Sequence, residues 1–102
     1  MATLSTHVLD IAQGRPAPGL RVELLFGGGQ VAAGVTDADG RVAPLGGDLE
    51  AGSYALRFDT GGYLGPDAFY PEVVVTFAVG ADEHYHVPLL LSPYGYSTYR
   101  GS

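Results

Sequence analysis

The sequence predicts an all-β sandwich, and three observations carry that expectation. Sixteen Gly and seven Pro in 102 residues cut the chain into pieces too short for long helices. Within the pieces, apolar and polar residues alternate with a period of two, the strand signature. The breaks recur about every ten residues and carry turn chemistry, as in sandwiches and small barrels.

The first candidate strand covers residues 4–10. Residues 20–26 follow, with Leu20, Val22, Leu24 and Phe26 on one face and Arg21 and Glu23 between them. Gly27-Gly28-Gly29 tolerates positive φ and joins this segment to a strand at 30–36 as a hairpin. Asp37-Ala38-Asp39-Gly40 supplies a carboxylate for the backbone and a Gly that accepts the left-handed conformation, so Arg41 is presented at the head of a strand over 41–44. Tyr54, Leu56 and Phe58 repeat the alternation around Ala55 and Arg57. A helix has room only within residues 60–70, where Gly61, Gly62, Gly65 and Pro66 leave a single turn at most. Pro71 opens a strand to 79, with Val73, Val75, Phe77 and Val79 on one face. The last candidates are 84–91 and 94–100. Pro88 cannot donate to a ladder, which places its strand near an edge or at a bulge.

Length and charge bound the function. A chain of 102 residues forms one domain, residues 1–102. Five Arg and no Lys against eleven acidic residues give a net charge of −6. With no basic cluster, nucleic acid is not an expected partner. Cysteine is absent, so disulfides, thiolate nucleophiles and Cys-type metal sites are excluded. No apolar run approaches the ~20 residues of a membrane span, so no membrane role is expected. The first residues lack a charged segment followed by a long apolar one, and the last three are Arg100-Gly101-Ser102 rather than a Ser-Lys-Leu address. The cytoplasm is the expected compartment.

Histidine is the side chain that titrates nearest neutrality, and there are three: His7, His84 and His86. His84 and His86 are two apart on a predicted strand and share a face. They are either ordinary solvated strand residues, proton-transfer groups, or, with His7, three ligands of a zinc site with an open position. Asp37-Ala38-Asp39-Gly40 resembles a calcium loop only faintly, because the later oxygen ligands and the closing Glu are missing. No Gly-x-Ser-x-Gly and no phosphate loop occur. Four of the seven Tyr lie between positions 85 and 99. A terminus that aromatic is expected to pack, across a subunit interface for example.

Several stretches together resemble the transthyretin-like 5-hydroxyisourate hydrolases. They are His7-Val8-Leu9-Asp10 with Gly14-Arg15-Pro16-Ala17, Thr36 to Arg41, Phe69-Tyr70-Pro71-Glu72-Val73, and the run from His84 to Ser102. The final Tyr99-Arg100-Gly101-Ser102 is the feature that separates these hydrolases from the hormone carriers of the same fold. The resemblance implies a transthyretin-like two-sheet Greek-key sandwich that forms dimers by extending its sheets, and a homotetramer built as a dimer of dimers. It implies hydrolysis of 5-hydroxyisourate to 2-oxo-4-hydroxy-4-carboxy-5-ureidoimidazoline in urate degradation, with no cofactor and no metal. Carried over by position, the implied catalytic residues are His7, Arg41, His86 and Ser102. His7, Arg41, Tyr99, Arg100 and Gly101 are the implied substrate contacts. The stretch between Tyr63 and Phe69 is shorter than the family's usual one, so its short helix is expected to be reduced or lost near residues 61–68. A non-catalytic carrier of a small aromatic ligand and a three-His zinc enzyme are the competing readings.

Overall fold

In the computed structural model all 102 residues are described, and they form two facing sheets with one short helix. The strands are β1 (Thr3–Asp10), β2 (Arg15–Pro16), β3 (Arg21–Phe26), β4 (Gly29–Val35), β5 (Arg41–Val42), β6 (Gly52–Phe58), β7 (Val73–Val79), β8 (His84–Ser92) and β9 (Gly95–Thr98). One sheet has the order β2-β1-β8-β9, with β5 also paired to β1; the other runs β4-β3-β6-β7. Every pairing is antiparallel except β1 with β8, which is parallel from Thr3 opposite His84 to Asp10 opposite Leu91.

The alternation read from the sequence sorts side chains between core and outside. Leu4 and Val8 of β1, Val22 and Leu24 of β3, Leu56 and Phe58 of β6, Val73 of β7 and Leu89 and Leu91 of β8 meet between the sheets and are essentially inaccessible. Each such side chain contributes about 1.5–3 kcal/mol by leaving water. The turns are held by specific polar bonds. The Thr36 hydroxyl donates to the Ala17 carbonyl (2.6 Å) and accepts from the Leu20 amide (2.9 Å). Gly40 has φ 74° and its carbonyl accepts from the Val8 amide at 2.7 Å.

The expected reduced helix is α1 (Thr60–Leu64), five residues long, with the Asp59 carboxylate accepting from the Gly62 amide at 3.0 Å. The Tyr63 hydroxyl donates to the buried Asp10 carboxylate at 2.8 Å, and burial beside that acid pushes the phenol up to about 12. Pro71 stands outside β7, which starts two residues later; its carbonyl accepts from the Gly61 amide instead. The short strand β2 has no counterpart among the predicted elements.

Pro88 is expected near an edge or at a bulge, and it lies next to terminal β9, whose pairing stops one residue short of it. Its strand lies inside the sheet, between β1 and β9. The proline is tolerated because it interrupts the ladder on one side only. β9 pairs as far as Thr98 opposite Leu89, and the chain returns to the same register where Gly101 bridges His86. In that register Tyr99 faces Pro88, so the missing N–H marks the gap between β9 and the tail.

Candidate functional site

The outer face of the β1–β8 sheet collects the polar residues. In β1 the inward positions are Leu4, Thr6, Val8 and Asp10, which leaves Thr3, Ser5, His7 and Leu9 on the other face. Parallel pairing sets Thr3 beside His84, Ser5 beside His86 and His7 beside Pro88, while antiparallel β5 sets Arg41 on the far side of His7. Residues paired across a ladder share a face. The structure therefore brings His7, Arg41 and His86 together from segments that are far apart in the chain. The His7 and His86 rings are 6.5 Å apart between centroids, tilted by 39°.

Each of the three is held differently. Arg41 is aimed by its turn: the Asp37 carboxylate accepts from the backbone amides of Arg41 (3.0 Å) and Asp39 (2.9 Å). The Arg41 amide chiefly holds that carboxyl below the usual range. The ion pairs of the protein use Arg21, Arg57, Arg100 and the N-terminus, so the Arg41 guanidinium keeps its donors unpaired with any carboxylate. His7 Nε2 is buried and bonds no protein group, which is unusual for a buried polar atom and leaves it free to bond a substrate. Burial pushes the His86 imidazole below its ordinary 6.5; the Arg41 charge and then His7 and His84 act in the same direction, while the Ser5 backbone opposes them.

Ser5 was not among the residues singled out by sequence. Its hydroxyl lies 2.8 Å from both His84 Nε2 and His86 Nδ1, and Thr3 Oγ1 lies 2.7 Å from His84 Nδ1. The spacing from His7 was the available signal, because positions 3, 5 and 7 of one strand share a face. His84, His86 and His7 do not converge as a metal site: no three His, Asp or Glu side chains are grouped as ligands.

The tail is divided. Gly101 lies against His86, its amide donating to the His86 carbonyl at 2.8 Å, and a Cβ there would stand 2.5 Å from His86 Cδ2. Arg100 is turned away from the histidines; its guanidinium pairs with Glu83 and lies 4.6 Å over the Tyr85 ring. Tyr99 and Arg100 line an apolar cavity of about 280 Å³ with Phe77, Tyr85 and Val87. Ser102 is exposed beyond Gly101. No helix is long and apolar enough to cross a membrane.

The HIUase/Transthyretin family profile matches residues 4–101. A Salmonella typhimurium protein named 5-hydroxyisourate hydrolase is 49% identical over 109 residues, covering 97% of this chain and 80% of its own. The solved structure of Klebsiella pneumoniae 5-hydroxyisourate hydrolase is 42% identical and superimposes with a TM-score of 0.94 over 100% of both chains. Sea bream transthyretin in complex with thyroxine is 33% identical, with a TM-score of 0.86 over 96% of this chain and 93% of that one. A profile match over nearly the whole length, with relatives at this identity and coverage, identifies the chain as a member of the HIUase/Transthyretin family.

Proposed function

We propose that this protein is an enzyme that hydrolyses 5-hydroxyisourate to 2-oxo-4-hydroxy-4-carboxy-5-ureidoimidazoline in urate degradation. The observation that carries the reading is the placement of His7, His86 and an unpaired Arg41 on one sheet face. The hydrolases named above support it by their identity and coverage.

Opening a ring amide requires one proton to leave the attacking water and one to reach the departing nitrogen. His86, held neutral by burial and by Arg41, accepts the first. His7 supplies the second through its otherwise unbonded Nε2. Arg41 presents a planar fork of donors to the oxygens of the substrate and offsets the charge that grows on the attacked carbonyl. Gly101 sets the His86 ring and Tyr99 borders the substrate. Arg100 anchors the tail through Glu83 and Tyr85, and Ser102 completes it at the rim. The reaction needs no cofactor and no metal.

The working unit of this reading is a homotetramer, in which the exposed Phe69, Tyr94, Tyr96 and Tyr99 are covered by other copies. The cytoplasm is its compartment. The direct test generates 5-hydroxyisourate from urate with urate oxidase and follows its near-ultraviolet decay. Decay that accelerates in proportion to added protein supports the hydrolase. Saturable binding with decay at the spontaneous rate replaces it with a carrier.

A further inference from the structure

Four side chains, of which only His86 belongs to the set named for the chemistry, form one continuous line: Thr3 Oγ1, His84 Nδ1 and Nε2, Ser5 Oγ, and His86 Nδ1, with successive gaps of 2.7, 2.8 and 2.8 Å. A hydroxyl between two imidazole nitrogens has one proton to give. With both rings neutral, Ser5 donates to one of them and accepts from the other. The direction chosen at Ser5 therefore dictates which nitrogen of His86 is free.

We infer that Ser5 and His84 are positioning residues that hold His86 as its Nδ1–H tautomer and leave Nε2 as the proton acceptor. In this arrangement His86 Nδ1–H donates to Ser5 Oγ, the Ser5 hydroxyl donates to His84 Nε2, and His84 Nδ1–H donates to Thr3 Oγ1. All three bonds are satisfied with one donor each. Ser5 is buried beneath the two rings while His84 is exposed, so the line runs from the site out to solvent. The reverse direction, with the Ser5 hydroxyl donating to His86 Nδ1, would leave Nε2 protonated and unable to take the proton that the proposed hydrolysis hands to His86. Gly101 packs on the Cδ2 edge of the same ring, so ring angle and tautomer are set from two sides.

The inference rests on the hydrolase reading for its use, but not for its measurement. Long-range proton–nitrogen correlation spectra of the histidine-labelled full chain at neutral pH report the His86 tautomer directly, independent of turnover. The wild type is expected to show Nδ1–H. His84→Leu removes the acceptor of the Ser5 proton, so that proton turns to His86 Nδ1. The spectrum is then expected to move to Nε2–H, with kcat down about tenfold and KM little moved. Ser5→Ala is expected to give a mixture of tautomers, and Ser5→Thr to restore the wild-type state. The exposed His84 site keeps the test usable if Ser5→Ala does not fold. A wild type with Nε2–H, or a His86 tautomer unmoved in His84→Leu, overturns the inference even if the enzyme hydrolyses 5-hydroxyisourate. A tautomer that shifts as described in a protein without turnover leaves the inference standing and removes the hydrolase reading instead.

Discussion

Gly101 is the backing plate of His86. Its amide holds the His86 carbonyl at 2.8 Å, and a methyl group in place of its hydrogen would meet the imidazole Cδ2 at 2.5 Å. Gly101 is needed for space, since its φ lies outside the left-handed range.

Gly101→Ala is therefore expected to turn the His86 ring and leave the core untouched. Turnover should fall about 10²-fold, because misplacing a catalytic group by an ångström costs that much. The thermal midpoint should move little. Steady-state kinetics beside a melting curve decides it; a variant with wild-type turnover removes Gly101 from the site.

Arg41 tests whether geometry or charge is used. Arg41→Lys keeps the charge and loses the fork, and Arg41→Ala loses both. If bidentate contact stabilises the substrate, Lys is expected to recover little of the roughly 10²–10³-fold loss caused by Ala. A Lys variant near wild-type kcat/KM would reduce Arg41 to a point charge.

The acid limb of activity follows from His86. Its imidazole is held below the ordinary 6.5, first by burial and then by Arg41. A proton acceptor with a lowered value stays available to lower pH, so kcat/KM should begin to fall only below 6.5. In Arg41→Ala the falling limb should shift upward in pH. A limb unmoved in that variant would assign it to another group.

Gly40 links the turn to the site. It has φ 74°, and a Cβ there would run into the Val8 carbonyl. Gly40→Ala should cost about 2 kcal/mol or more from backbone strain alone. Because the same turn leads into Arg41, the folded remainder should also lose activity. Urea denaturation and single-turnover assays measure the two effects separately.

The legible part of the fold was its local part. Alternation in Leu20 to Phe26 and Val73 to Val79 identified two strands, because one face of each is buried and the period of two survives. Arg15–Pro16 escaped because two residues show no period. Pro88 signals a strand near an edge or at a bulge, and it lies in the strand next to terminal β9, where the ladder lapses at one position while β1 continues on the other side. Within the site, the resemblance named His7, Arg41 and His86, and the structure brings them onto one face. Ser5 was missed because a hydroxyl in an alternating strand reads as an ordinary outward residue. Only the parallel pairing with His86, made across most of the chain, gives it a second neighbour.

That parallel pairing has a kinetic consequence. Ser5 and His86 are 81 positions apart, and the ladder holding them joins an early strand to a late one. Contacts of such long range form slowly, since the closure entropy of the intervening loop precedes any gain from pairing. On the ribosome β1 must wait for β8 to emerge, and until then only the two-residue strands β2 and β5 pair with it in its own sheet. Fragments cut anywhere between the two strands should regain neither sheet nor turnover alone, and should regain both only when mixed.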